Sequence, residues 1–249
     1  MSRRRRLRSE FSAAWRAFVR RRTAMFFTFL FPLLIVVIFG IVVETDATGG
    51  GLFTQPPRYY VPGYLAVVVL FTPLSRVGSE VARHRDGNRF EKLATTPLTR
   101  PEWLLAQTAV NVVVIGIAGL LLLALVIPAT GAKIALSPLL LLYVVAGVAL
   151  FCGVGAMLGR LADTQDGVIA ASNALALPLL FLSETFVQPE LLPTWLPTGL
   201  SPLTYFARGV RATVQPGTTS PGAVSNLLVV AALAAVALAV GAALLPRTD

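Results

Sequence analysis

The residues in this sequence that could do chemistry are gathered in short polar segments between long apolar ones. One of these segments, RFEKLATTPLTRPEW, runs from Arg89 to Trp103 in a chain that is 55% hydrophobic. An intramembrane enzyme or a proton-driven carrier needs acids or histidines inside its apolar stretches, because ionisable groups are costly in lipid and usually functional there. The apolar stretches contain no Asp or Glu, and the only histidine, His84, falls in the polar region before Arg89. With no metal-ligand cluster or nucleophile–base pair evident, the pattern argues against catalysis.

Three polar residues at or within the apolar stretches are candidates for contact with a substrate. Glu184 stands at the outer end of one stretch, where it would meet a cationic substrate, gate an external mouth, or be a hydrated residue at a helix end. Asn111 lies inside another stretch and Asn173 inside the same stretch that Glu184 follows, and at both positions an interhelical hydrogen bond competes with substrate binding. We favour the hydrated acid and the hydrogen bonds. Backbone carbonyls and neutral side chains would coordinate a cation without leaving a trace in the sequence, so cation export stays open.

The stretches that must position these residues indicate a membrane protein. Mean hydropathy is +0.74, and 13% of residues are charged, against about 25% in soluble domains. A helix crosses the ~30 Å hydrocarbon core with about 20 apolar residues, and no ten-residue alternation typical of a membrane barrel is present. We predict an all-α integral membrane protein with a single transmembrane domain, residues 1–249. Its six predicted spans are 23–43, 59–75, 103–127, 137–159, 167–183 and 223–245.

The distribution of basic residues predicts the orientation of these spans. Of the 21 lysines and arginines, 17 fall on the side of the chain termini when the six spans are threaded through a bilayer. By the positive-inside rule both termini are cytoplasmic, in a multi-pass protein of the plasma membrane. Topology and anionic lipid headgroups then explain the net charge of +9 without nucleic-acid binding.

Two further elements are predicted outside the spans. Residues 7–22 place aromatic and aliphatic side chains on one helical face and arginines on the other, as in a helix that lies in the membrane interface. Residues 184–211 are apolar but carry four prolines, so they cannot cross as one helix. We predict a broken re-entrant segment on the external side, before the last span.

The polar segment itself predicts a helix, a break and a new helix. Residues 86–95 form a short amphipathic helix with Phe90 and Leu93 on one face, and Pro97 ends it. Thr99 and Glu102, three residues apart, predict a capping box that opens the third span. The apolar face of the short helix either packs back on the bundle or docks a cytoplasmic partner, and the residue pattern alone leaves both open.

Three motifs resemble the permease subunits of type-two ATP-binding-cassette exporters, a family that exports drugs, lipids and polysaccharides. They are YVPGYL, EVARHRDGNRFEKLATTPLTRPEWLLAQ and LPLLFLSETFVQPELLPTWLPTGLSPLTYFARGVR, and with the six spans the resemblance covers nearly the whole chain. The most specific part is the series Gly87, Glu91, Leu93, Thr96, Pro97 and Leu98. One departure is Glu184, which stands where family members often have glycine.

The resemblance implies a permease that works with separate subunits. Residues 86–95 would be a cytoplasmic coupling helix seated on ATPase subunits, which would bind ATP and magnesium, and a second permease copy would complete a homodimer or heterodimer. The residues implied in ATPase docking are Gly87, Arg89, Phe90, Glu91, Lys92, Leu93, Thr96 and Pro97. The sequence contains no phosphate-loop motif, so we expect no ATPase site and no cofactor or metal in this chain.

The expected activity is export of a hydrophobic or amphiphilic substrate, such as a drug, a lipid or a glycolipid-like molecule, out of the cell. Two alternatives remain from the sequence. One is a cation exporter, for example of sodium, that uses the same ATPase-driven architecture. The other is a membrane anchor that recruits a cytoplasmic ATPase without transporting anything.

Overall fold

The computed structural model describes residues 2–38, 59–131, 134, 137–186, 195–214 and 221–246. The regular elements in these ranges are all helical, which confirms the all-α class. They are α1 (Arg3–Arg20), α2 (Arg22–Val37), α3 (Val61–Asp86), α4 (Arg89–Ala94), α5 (Arg100–Thr130), α6 (Pro138–Leu161), α7 (Gln165–Phe181), α8 (Pro202–Val214) and α9 (Pro221–Leu244), with a 3₁₀ turn at Thr198–Leu200 between α7 and α8.

Four of the described helices, α3, α5, α6 and α9, are long and apolar enough to cross a membrane. This establishes a multi-pass membrane protein. The first and fifth predicted spans fall on α2 and α7, which have 16 and 17 described residues. The count of six spans therefore stays a prediction. Residues 39–43 of the first predicted span and residues 187–194 of the predicted re-entrant segment lie outside the described residues.

Helix α3 forms the centre of the bundle. It packs against α2, α5, α6, α7 and α8, and its side chains are buried from Val61 to Ala82 with few interruptions. Two glycines on α6 make the approach to α3 possible. A Cβ atom on Gly155 would lie 2.5 Å from the Leu74 carbonyl oxygen, and one on Gly159 would lie 2.4 Å from the Gly78 carbonyl oxygen. Small residues four apart allow membrane helices to pack at this close distance.

The helix that contains the predicted second span is longer than that span. We predicted a span over 59–75, and α3 runs from Val61 to Asp86 with His84 within it. Charges in its last turns are paired: Glu80 accepts from Arg21 on the α1–α2 connection at 3.2 Å and lies 3.2 Å from Arg83. Paired charges can remain on a partly buried helix.

The boundaries of the two smaller elements also differ from the sequence prediction. Helix α1 begins at Arg3 rather than at residue 7, and α4 begins at Arg89 rather than at Asp86, which is the last residue of α3. The apolar face of α1 lies on the bundle, because Ala14 and Phe18 are buried against α5.

The predicted capping box at the start of α5 is confirmed. The Glu102 backbone N–H donates to the Thr99 hydroxyl at 3.4 Å, and the Thr99 backbone N–H donates to the Glu102 carboxylate at 3.0 Å. Pro101 lies in the first turn of the helix, where its missing N–H costs nothing. The sequence therefore determined where α5 begins.

Candidate functional site

Helix α4 is held against the bundle by one aromatic side chain. Phe90 is 6% exposed, and its ring centroid lies 5.4 Å from that of His84 on α3 and 5.4 Å from that of Trp103 on α5. The His84 and Trp103 rings are themselves 5.3 Å apart. These three rings, here called the aromatic cluster, join α3, α4 and α5. The cluster also corrects the sequence prediction for Phe90, which we had placed among the docking residues and which is buried inside the bundle.

The other residues predicted to dock a partner share the outer surface of the same element. Those that are exposed are Gly87, Arg89, Glu91, Lys92, Thr96 and Pro97, and Leu93 is half-buried. Asn88, with a φ of 51°, turns the chain between α3 and α4 in the left-handed region that asparagine tolerates. The Thr95 and Thr96 hydroxyls donate to the Lys92 and Leu93 carbonyls at 2.8 and 2.7 Å and end the helix.

Of the two interpretations of α4 left open by the sequence, the one in which it packs back on the bundle applies to Phe90, and partner docking stays a prediction for the exposed face. Phe90 packs back on the bundle, and the charged face points away from it. A six-residue helix has too few backbone hydrogen bonds to be stable alone. Its fixed position therefore comes from the aromatic cluster.

An ion pair joins α1 to the start of α5, directly after α4. Arg6 Nε and Nη2 donate to the two Glu102 carboxylate oxygens at 3.0 and 2.6 Å, and Glu102 is 3% exposed. The hydrogen bond to Glu102 raises the pKa of Arg6. A cleft of about 180 Å³ lies between Arg6 and Glu10 on one side and Leu93 and Pro97 on the other. The sequence analysis missed this pair, because the capping box already accounted for Glu102.

A second polar group connects α1, α3 and α5 at the same end of the bundle. Arg76 donates to the Asn111 side-chain oxygen at 3.1 Å, and its guanidinium lies 4.5 Å from the centre of the Phe18 ring. The Asn111 amide donates to the Gln107 carbonyl at 2.9 Å. Partial burial, with a contribution from the charge of Glu80, raises the pKa of Glu10 nearby. The interhelical hydrogen bond favoured for Asn111 is confirmed, and its buried side chain is engaged in helix packing.

Glu184 lies beyond the C-terminal end of α7, where it is 2% exposed. The expectation of a hydrated residue at a helix end is therefore wrong. Arg208 on α8 donates through Nε at 2.7 Å and also through Nη2 to its two carboxylate oxygens, and Thr198 donates to it at 3.3 Å. Arg211 donates to the Glu184 backbone carbonyl at 2.8 Å and lies 4.1 Å above the Tyr59 ring. Glu184 thus fastens the end of α7 to α8.

Asn173 lies on an exposed face of α7, and no described residue forms a hydrogen bond with it. Ile169, Leu177 and Phe181 share that face at four-residue spacing and are 39%, 47% and 70% exposed. The three substrate candidates are therefore not brought together into one site within this chain: Asn111 is enclosed, Glu184 is paired, and Asn173 faces outward.

Hydrogen bonds also join the start of α5 to the residues at the C-terminal end of α9. Arg100 Nη1 donates to the backbone carbonyls of Ala243 and Leu245 at 3.2 and 2.5 Å. A groove of about 840 Å³, mostly apolar, opens between α4, α5 and α9 at this point. The described part of the chain contains no group of three His, Cys, Asp or Glu residues that could hold a metal ion.

In a comparison with known families, the family described as ABC-2 type transporter matches residues 6–214. The matched range includes α4, the aromatic cluster, the Arg6–Glu102 pair and the Glu184–Arg208 pair. A search of curated proteins found no match.

Proposed function

Because the chain belongs to the ABC-2 type transporter family, we propose that it is the permease subunit of an ATP-driven exporter and that a separate ATPase subunit docks on the exposed face of α4. Arg89, Glu91 and Lys92 give that face both signs of charge. In this proposal the partner binds ATP and magnesium, and the permease carries the cargo.

The observation that supports this assignment is the contrast between the two faces of α4. Its apolar residue Phe90 is fixed between His84 and Trp103, and its charged residues are exposed. A partner that moves the charged face therefore moves α3 and α5 together, since both contribute a ring to the aromatic cluster. The Arg6–Glu102 pair carries the same displacement to α1. Rigid packed contacts of this kind transmit motion between bistable arrangements.

We place the cargo path along the exposed face of α7. Ile169, Leu177 and Phe181 are exposed there, and Asn173 adds among them a polar group that lipid tails cannot hydrogen-bond. A second permease copy placed against this face would enclose an apolar pathway with few polar contacts. Such a pathway suits a hydrophobic or amphiphilic cargo leaving the cell across the plasma membrane.

Docking is tested by reversing one exposed charge. Glu91→Arg should abolish co-purification of the ABC ATPase subunit that binds the unaltered chain and should abolish ATP-dependent transport in vesicles, and membrane insertion should be unchanged. Asp163→Arg is the matched control, because Asp163 is an exposed acid on the connection between α6 and α7. If Glu91→Arg and Leu93→Asp both retain the ATPase and transport normally, α4 is not the docking element. ATPase binding without transport of drugs, lipids or cations would instead support a membrane anchor.

A further inference from the structure

The connection between α1 and α2 forms a second surface that the permease function does not use. An open groove of about 830 Å³ lies there, lined by Val19, Arg22, Met25, Phe26, Phe29, Leu30 and Leu33. The residues from α2 recur at spacings of three and four, so they occupy one face of that helix. Phe26 and Val19 are 57% and 42% exposed, so none of the described residues covers the groove there.

The length of the groove matches one lipid leaflet. From Arg22 to Leu33 the helix rises about 16 Å at 1.5 Å per residue. Half of the ~30 Å hydrocarbon core is about 15 Å. An acyl chain lying along α2 would therefore extend from the polar end of the groove at Arg22 to the middle of the bilayer.

The arginines near the polar end of the groove favour a lipid with an anionic headgroup. Arg22 lines the groove, Arg20 is exposed next to the lining residue Val19, and no acidic residue occurs in the first turn of α2. Arg21, between them, is turned inward to Glu80. Basic residues at a membrane surface attract anionic lipids, each by roughly a fivefold gain in binding.

We propose that the α1–α2 groove binds one anionic phospholipid, with its phosphate at Arg20 and Arg22 and an acyl chain against Phe26, Phe29 and Leu30. A second copy of the chain fits this groove less well. Copies inserted in the same orientation bring their arginines to the same membrane face, where like charges repel. The proposal depends on α1 lying at the membrane surface and not on ATPase docking.

The test uses the full chain in nanodiscs of phosphatidylcholine containing a small fraction of phosphatidylglycerol with a photoreactive acyl chain. Labelling should fall on residues 25–33. Arg20→Gln with Arg22→Gln should reduce it at least tenfold, consistent with about fivefold per arginine. Arg4→Gln with Arg5→Gln is the control, since it removes the same charge from the exposed opposite end of α1 and should leave the labelling unchanged.

A groove-filling variant tests the acyl part separately. Leu30→Trp should block labelling with all arginines present, whereas Leu34→Trp, on an exposed position outside the lining, should not. Equal labelling by photoreactive phosphatidylcholine, or an equal loss in the Arg4/Arg5 control, would overturn the proposal in favour of unspecific lipid contact. Disulfide-linked dimers from Leu30→Cys in a Cys152→Ser background would overturn it in favour of a second copy.

Discussion

Glu184 and Arg208 form a two-point ion pair that ties the end of α7 to α8, with the carboxylate buried and the Arg208 side chain 46% exposed. The contribution of this pair to stability can be measured by removing each partner.

Removing the carboxylate charge should leave Arg208 without its main partner. We expect Glu184→Gln to destabilise the protein by about 1–3 kcal/mol, less than the 3–5 kcal/mol seen when fully buried pairs are broken, because water screens the half-exposed arginine. Thermal unfolding in detergent measures the loss. The double variant Glu184→Gln/Arg208→Gln should recover part of it. If the stability loss of the double variant equals the sum of the losses in Glu184→Gln alone and Arg208→Gln alone, the two residues are not coupled.

The aromatic cluster predicts that binding and transport can be separated. Phe90→Ala should keep the charged face of α4 available, so the ATPase still co-purifies, and should reduce the cargo moved per ATP hydrolysed several-fold, because α4 is no longer held by α3 and α5. Phe90→Leu, which retains an apolar side chain, is the control and should keep most of the transport. Loss of ATPase binding in Phe90→Ala would show that the cluster instead sets the shape of the docking face.

The Arg6–Glu102 pair predicts a role for α1 in the same coupling. Arg6→Gln removes the charged donor and leaves the capping box of Thr99 and Glu102 in place, so we expect a correctly inserted protein with reduced transport per ATP. Arg5→Gln alters an exposed neighbour and should behave as the unaltered protein. The ratio of transport to ATP hydrolysis in vesicles is the measurement, and an unchanged ratio in Arg6→Gln would exclude α1 from the coupling path.

Because α3 and α6 are in close contact, we expect one added methyl group between them to lower the stability of the protein. Gly159→Ala places a Cβ against the Gly78 carbonyl and should cost about 1–3 kcal/mol through overpacking. Gly116→Ala on α5 meets nothing within 4 Å and should cost nothing. Thermal unfolding of both variants compares them directly, and equal midpoints would mean that α3 and α6 separate easily.

The orientation predicted from the basic residues can be checked with single cysteines in a Cys152→Ser background. Lys92→Cys should react with a membrane-impermeant maleimide only after sealed cells are opened. Trp195→Cys, at an exposed position in the external segment, should react in intact cells. The reverse pattern would place α4 outside the cell and remove the basis for ATPase docking.

Local signals were sufficient to predict the all-helical class, most of the apolar helices and the start of α5, because apolar length and the Thr99–Glu102 spacing are properties of adjacent residues. Local signals were insufficient where a residue far along the chain determines the environment of a side chain. Arg76 follows the predicted second span, and the sequence gives no sign that Asn111 and the Phe18 ring accommodate it inside the bundle. Glu184 suggested a hydrated position because Arg208 lies 24 residues further along the chain. Phe90 could not be assigned to a face until Trp103 was placed beside it.

The bonds from Arg100 to the last carbonyls of the bundle have a practical consequence. Because Ala243 and Leu245 are fastened to the start of α5, the C-terminal end of α9 travels with the element that follows α4. If the proposed coupling holds, a fluorescent reporter fused to the C-terminus should register the movement of α5 as a change in energy transfer to a dye on the ATPase subunit, without any alteration of α4.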